Sequence, residues 1–243
     1  MNNNKKIRVL IVAAGKGSRA NLPYPKTLFK INGEEILLKI LNTTYELDPH
    51  PTIIVSPKGK KDIKNFLFNV SKKAYLVIQE EAKGMGDAVM KFEKSPAFES
   101  TDNILLIWGD IPYIKKRTIQ KMVETHFESE NIFTFVTAET EAAYTRVIRD
   151  QNNKILDVIE TREESLPIKK GERDIGLFIF KKNEVFNLLK MELQKKYSLK
   201  TKEHGFLYLI HHLVEKGFKV EALKIADKKE LISLNKITDL NEI

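Results

Sequence analysis

The chain contains no cysteine. That absence excludes disulfides and every metal site built on thiolates, so redox chemistry says nothing about its compartment. It also lacks any apolar run approaching the ~20 residues that cross a bilayer. Its start, Met1-Asn2-Asn3-Asn4-Lys5-Lys6, has no apolar core of the signal-peptide kind. A cytoplasmic protein with no membrane partner is expected. There is no Gly-x-Ser-x-Gly elbow, no His-x-x-x-His pair, no internal repeat and no low-complexity linker. Serine-hydrolase and zinc-hydrolase chemistry therefore have no motif to stand on, and His211-His212 reads as two faces of a packed helix.

What is present is a chain of 243 residues, 42% hydrophobic and 30% charged, with a net charge of +8. That length and balance suit one α/β domain spanning residues 1–243 and burying a single sizeable core. The lysines are scattered through every helical stretch rather than gathered into one block with aromatics. This pattern disfavours a nucleic-acid partner, while the positive balance helps to draw in anionic small molecules.

Apolar runs alternate with helical patterns. Strands are expected at Val9 to Ala13, Thr52 to Val55, Tyr75 to Ile78, Ile104 to Trp108 and Ile132 to Thr137. Helices are expected between them, at Ile36 to Tyr45, Lys61 to Asn69 and from Asp87 to Phe92, with a turn at Asn32-Gly33. The alternation predicts a Rossmann-like, mostly parallel sheet with helices on both faces. After residue 138 the rhythm shortens to β segments at Arg146 to Arg149, Ile155 to Glu160 and Ile175 to Phe180, with helices at Asn183 to Lys196 and Phe206 to Lys216. Asn152-Asn153 suits a hairpin turn, and the charged Arg162 to Arg173 stretch, with Pro167 and Gly171, reads as a loop over the site.

The richest stretch is Val9 to Phe29, VLIVAAGKGSRANLPYPKTLF, where an apolar strand runs into a glycine-bearing basic loop. Gly15 and Gly17 let backbone N–H groups approach an anion, and Arg19 and Lys26 supply charge. The residues alone leave a plain turn and a phosphate cradle both open. Two familiar cradles fail on spacing. A dinucleotide fingerprint needs a glycine where Ala20 stands, and a Walker loop needs Gly-Lys-Ser/Thr where the chain has Gly15-Lys16-Gly17-Ser18. A second candidate is Asp110, a carboxylate delivered by Gly109 at the end of a buried strand.

Ala13-Ala14-Gly15-x-Gly17-Ser18-Arg19, with Pro25-Lys26 seven residues after the arginine, resembles the N-terminal motif of nucleotidyltransferases that activate sugar phosphates. The resemblance is strongest to the uridylyltransferase part of the N-acetylglucosamine-1-phosphate uridylyltransferase family. Four further segments follow in the same order: Gln79 to Met90, Leu105 to Ile114, Arg146 to Glu160, and Leu231 to Leu240. The resemblance implies a nucleotide-binding half over about residues 1–138 and an acceptor-binding half over about 139–243. It implies that Val12, Ala13, Ala14, Gly15, Lys16, Gly17, Ser18, Gln79, Gly84, Met85, Trp108 and Gly109 bind a nucleoside triphosphate, with Arg19, Lys26 and Asp110 catalytic. It makes Mg2+ the cofactor, held by Asp110 and Asn235, and places Thr145, Glu160 and Asp174 around a phosphorylated acceptor.

Departures accompany it. Met85 stands where the family has threonine, which leaves a pyrimidine base expected and uracil against cytosine open. Thr145 replaces a glycine, Asp174 an asparagine and Phe206 a glutamate, so the acceptor is the least determined part. The implied reaction is transfer of a nucleoside monophosphate from a pyrimidine triphosphate, UTP or CTP, to a sugar 1-phosphate. A cytidylyltransferase acting on a small non-sugar phosphate and a non-catalytic nucleotide-binding relative are the alternatives. The family's hexapeptide-repeat part has no counterpart after Leu240, so no acetyl transfer is expected. The pattern does not distinguish a monomer from a homo-oligomer.

Overall fold

The computed structural model describes residues 6–15, 22–161 and 166–234. Its strands are β1 (Ile7–Ala13), β2 (Lys30–Ile31), β3 (Glu34–Glu35), β4 (Thr52–Val55), β5 (Tyr75–Ile78), β6 (Asn103–Trp108), β7 (Phe133–Ala143), β8 (Thr145–Arg149), β9 (Ile155–Glu160), β10 (Lys169–Lys181) and β11 (Val220–Lys224). The helices are α1 (Ile36–Thr44), α2 (Lys60–Asn69), α3 (Met85–Met90), α4 (Lys116–Glu128), α5 (Lys182–Lys190) and α6 (Tyr208–Glu215). One seven-stranded sheet runs β11-β7-β10-β6-β1-β4-β5, and β2–β3 and β8–β9 are two separate hairpins.

Side chains alternate across this sheet, and the alternation sorts the core into two layers. Val9, Ile11, Ile53, Val55, Leu105, Ile107, Leu177 and Ile179 pack with the apolar stripes of α1, α2 and α4. Leu10, Ile54, Leu106, Phe178 and Phe180 pack with α3, α5 and α6 on the opposite face. Nearly continuous apolar strands are what a sheet covered on both sides requires. On the second face Phe133, Phe135, Phe178, Phe180 and Phe206 form an aromatic cluster with neighbouring ring centroids 5.5–6.2 Å apart. Burying each ring contributes about 1.5–3 kcal/mol.

The register decides where a ligand can bind. Ala13 pairs with Val55, Val55 with Ile78, and Val12 with Trp108, so the parallel strands β1, β4, β5 and β6 end on one line. Their outgoing loops gather at that edge. β10 runs antiparallel to both β6 and β7. Leu177 lies opposite Ile107, so residues 169–176 of β10 overhang the carboxyl end of β6 and build a wall above the same edge.

Several expectations are corrected. The helix expected from Asn183 to Lys196 stops at Lys190, because Met191 is extended and its amide bonds only to Leu188. Lys196 Nζ then bonds the Met191 carbonyl at 2.9 Å and Glu192 at 3.0 Å, turning the chain back, and the return is closed by a Tyr197–His204 bridge. The stretch expected to be a loop from Arg162 to Arg173 is strand from Lys169 onward, because Gly171 to Asp174 find backbone partners on β7; residues 162–165 lie outside the described residues. α4 and β11 were not specified in advance, although Thr118, Ile119, Met122 and His126 of α4 are buried at helical spacing.

Two close approaches fix the site loops. Gly84 has φ +98°, and a Cβ there would lie 2.4 Å from the His204 carbonyl oxygen, so the Lys83–Gly86 turn packs directly on His204. His204 N donates to Lys83 O and Gly86 N donates to His204 O at 3.0 Å. Gly176 has φ +80°, and a Cβ there would meet the Trp108 ring at 2.8 Å. Gly33, with φ +83°, has nothing within 4 Å. Gly33→Ala should therefore cost about 1 kcal/mol from its backbone alone, and Gly176→Ala about 2–4 kcal/mol, measured by urea unfolding. Equal costs would show that the Trp108 contact is not tight.

Burial pulls the His204 imidazole down to about 4 from 6.5, and the charge of Lys196 adds to the effect. The unfolded chain then binds more protons than the folded one between those values, so stability rises with pH from about 4 to about 6.5 and this contribution is flat above. The stability difference between the native protein and His204→Gln should follow that window. A difference independent of pH would refute it.

Candidate active site

The loop after β1 returns as a short 3-10 turn, Lys26–Leu28, that carries Lys26 back under the strand ends. There the Lys26 ammonium is ion-paired with Asp110, two residues past the end of β6. Gly15 lies alongside, since a Cβ on it would be 3.9 Å from Lys26 Cε. Gly109 N donates to Val12 O at 2.9 Å, tying the β6 exit to the β1 exit. The C-terminal segment closes over the pair. Leu234 N donates to Asp110 O at 2.8 Å and Leu234 O lies 3.4 Å from Lys26 Nζ. Arg173 Nη2 donates to Leu231 O at 2.5 Å, and the half-buried Tyr144 hydrogen-bonds Ser233. Lys16, Gly17, Ser18, Arg19 and Asn235 lie outside the described residues.

Two cavities flank these groups. One of about 480 Å³ is lined by Ala14 and Gly15, by Leu22 to Pro25, by Ser56 to Gly59 with Asp62, and by Gln79, Glu80 and Ala82. These are the outgoing loops of β1, β4 and β5. Gln79 is 4% exposed, and its Nε2 donates to Gly84 O at 3.1 Å and Asp87 Oδ2 at 2.8 Å, which fixes the amide in one orientation. Val12 and Ala13, half-buried at the end of β1, line neither of the two cavities and pack against the core.

The other cavity, about 300 Å³, is lined by Gly84, Met85, Trp108, Tyr144, Thr145 and Glu160 on one side. The 191–207 segment supplies the rest, including Lys195, Glu203 and His204. The grouping expected for Gln79 with Gly84 and Met85 is thus divided: Gln79 lines the first cavity, and Gly84 and Met85 the second, because the turn between them packs against His204. Trp108 Nε1 is shut from solvent and has no hydrogen-bond partner among the described residues.

Asp174 does not line either cavity. It is 1% exposed, accepting from Thr145 Oγ1 at 2.5 Å and from Gly176 N at 3.0 Å. Burial pushes its carboxyl up, against the opposing pull of the Thr145 hydrogen bond and Arg173. Arg173 stacks 4.2 Å over the Tyr144 ring, whose phenol is raised by burial. Tyr144, Arg173, Lys195 and His204 were missed from sequence. Only their adjacency to Thr145, Asp174 and Gly205 could have signalled the first, second and fourth. Lys195 carried no signal, because it was assigned to a helix that stops at Lys190.

Carboxylate and amide oxygens suit Mg2+, which takes oxygen ligands and retains water. Asp110 fits that role by its donor chemistry, since its carboxylate already faces a cation, the Lys26 ammonium. Among the described residues no helix is long and apolar enough to cross a membrane.

Residues 9–176 match the family described as the MobA-like NTP transferase domain. The bifunctional protein GlmU of Buchnera aphidicola subsp. Schizaphis graminum is 30% identical over 232 residues, covering 95% of this chain and 49% of the relative. The chain spans about half the length of the curated relatives it matches. Among solved structures, a UDP-glucose pyrophosphorylase complexed with UDP-glucose superimposes with a TM-score of 0.71 at 16% identity, covering 98% of both chains. An inositol-1-phosphate CTP transferase from T. maritima gives 0.68 at 14% identity, covering 90% of this chain and 85% of that one. Those two likenesses speak to the fold, and they agree with the mostly parallel sheet. With the family match extending from the first strand to the overhang of β10, the chain belongs to the MobA-like NTP transferase domain family.

Proposed function

We propose that this protein transfers a nucleoside monophosphate from a pyrimidine triphosphate to a sugar 1-phosphate, releasing pyrophosphate. The observation that carries this reading is the Lys26–Asp110 pair. Lys26 stands beside Gly15 of the first cavity, and Asp110 follows two residues after Trp108 of the second. A cation and a carboxylate between two cavities suit a reaction whose two anionic substrates must meet.

In this reading the first cavity takes the nucleoside, with Gln79 against the base edge and the Gly15 backbone near the phosphates. Lys16 to Arg19 hold the β and γ phosphates, Arg19 by its planar fork. Lys26 swings from Asp110 to the α-phosphate, where negative charge accumulates. The acceptor occupies the second cavity between Glu160, Thr145 and Trp108, with its phosphate directed toward Asp110. A phosphate monoester has its second pKa near ~6 and is mostly dianionic at neutral pH, so its oxygen attacks without a protein base. Positioning and charge neutralisation then supply the rate. Mg2+, held by Asp110 and Asn235, would neutralise phosphate charge. The hydrogen bond from Leu234 N to the Asp110 backbone carbonyl brings the residue before Asn235 alongside Asp110, which supports the pairing.

Pyrophosphate release, measured for four nucleoside triphosphates against sugar and non-sugar phosphates, tests the reading. UTP or CTP with a sugar 1-phosphate should give the highest kcat/KM, and the best pair should lose about a hundredfold or more in kcat in Lys26→Ala and in Asp110→Ala. Near-normal rates in either folded variant would sink the mechanism. Preference for a small non-sugar phosphate with CTP would favour the cytidylyltransferase alternative, and release with no pair would favour a binding relative. Arg19→Ala should raise KM for the triphosphate as well as lower kcat, by about tenfold or more. An unchanged KM would remove Arg19 from the triphosphate site.

A further inference from the structure

Histidine 211 and histidine 212 are consecutive on α6, and Glu215 follows one turn later at i+4 and i+3. The sequence held no zinc motif, yet the helix gathers three ligating side chains whose donor atoms all lie within 4.8 Å of one another. His211 Nε2 is 3.3 Å from Glu215 Oε1, and His212 Nδ1 is 3.3 Å from Glu215 Oε2. A tetrahedral zinc ion with bonds of about 2.0–2.1 Å sets its ligand atoms about 3.3 Å apart. Each imidazole-to-carboxylate distance matches that separation, one to each carboxylate oxygen, and the three donors lie within 4.8 Å of one another.

The opposite nitrogens decide what the converging ones can be. His212 Nε2 is 3.0 Å from the Gln194 carbonyl, an acceptor, and so carries its proton there. His211 Nδ1 lies 3.7 Å from Asp157 Oδ2, beyond a hydrogen bond but close enough for the carboxylate charge to favour that side of the ring. When His212 ligates an ion, its proton sits on Nε2 at the Gln194 carbonyl and Nδ1, 3.3 Å from Glu215 Oε2, is left to bind the metal. Ring nitrogens that donate outward to a carbonyl or carboxylate while ligating inward are the usual surroundings of metal-bound histidine.

We propose that His211, His212 and Glu215 bind one zinc-class divalent cation, with Gln194 and Asp157 orienting the two imidazoles. Two imidazoles and a carboxylate suit Zn2+ and leave a fourth position for water. They do not suit Mg2+, which prefers oxygen. Asp157, which His211 faces, belongs to β9, and β9 ends in Glu160 of the second cavity. The ion would therefore fasten α6 to the hairpin that walls this cavity. The site stands apart from the proposed reaction, because none of its three ligands lines either cavity.

Calorimetric titration of the full chain with Zn2+, in excess Mg2+ to fill the Asp110 region, should show a single saturable equivalent. Co2+ in place of Zn2+ should give the visible absorption of a four-coordinate ion. His211→Ala and Glu215→Gln, both at partly exposed positions, should each weaken binding by about tenfold or more, while the exposed His50→Gln should leave it unchanged. Zn2+ should also raise the melting temperature of the native protein and not of Glu215→Gln. No saturable equivalent, or equal binding by all the variants, would overturn the proposal. So would nuclear magnetic resonance showing that both rings hold two protons at pH 7 in the presence of Zn2+.

Discussion

The contact on which the candidate site depends is the ion pair between Lys26 and Asp110. It joins residues 84 apart in sequence, and through the Leu234 backbone it reaches the far end of the chain, 208 residues from Lys26. Two opposite charges near a protein surface attract by several kcal/mol, about 4 at 4 Å, but removing them from water offsets most of it. The pair therefore matters less for stability than for position. It holds the basic loop, the β6 exit and the C-terminal segment to one point. Each partner remains partly open to solvent, at 22% and 14% side-chain exposure, so an incoming anion or cation can separate them.

The rest of the fold can be understood as the means of presenting that point. Four parallel strands ending in register bring their loops to one edge, and three of them, β1, β4 and β5, account for the first cavity. A sheet of parallel strands only would leave the other side of the edge open. The reversal of β10 closes it, because a strand that begins beyond the end of β6 must overhang it. The overhang continues into β7, which extends to Ala143, and from there into the β8–β9 hairpin. Gly176 allows the two regimes to meet, since its missing side chain leaves room for the Trp108 ring. The loop after α5 completes the second cavity by packing His204 against the Gly84 turn.

The first half was legible in the sequence and the second much less so, for a physical reason. Buried parallel strands are short apolar runs, and Thr52–Val55 and Tyr75–Ile78 emerge with the expected bounds. Asp110 stood out as a carboxylate after a buried strand and a glycine, a position that equally suits a turn or a cap, and its implied role came from the resemblance. The long β10 was shortened because its first residues, Lys169 to Arg173, are charged, and a charged strand carries no apolar alternation. The helix at Asn183 was lengthened because helix-forming residues continue to Lys196, whereas the extended Met191 stops it and the Lys196 Nζ bond to the Met191 carbonyl turns the chain back. His204 sits in the second cavity through contacts with Lys83 and Gly86, more than a hundred residues earlier. No local pattern encodes such a contact.

The two departures from the family pattern at Thr145 and Asp174 turn out to be one feature. Asp174 is sealed from solvent and occupied by the Thr145 hydroxyl and the Gly176 amide. It cannot also serve a ligand, so its work is to bind β8 to β10. The consequence falls on Thr145, which does line the second cavity. A hydroxyl has one proton to give, and this one is given to Asp174, so toward the cavity it can only accept. Glu160 lines the same cavity beside it. Under the proposed reaction, this wall meets donors, and a polyhydroxylated acceptor supplies them where a bare alkyl phosphate does not.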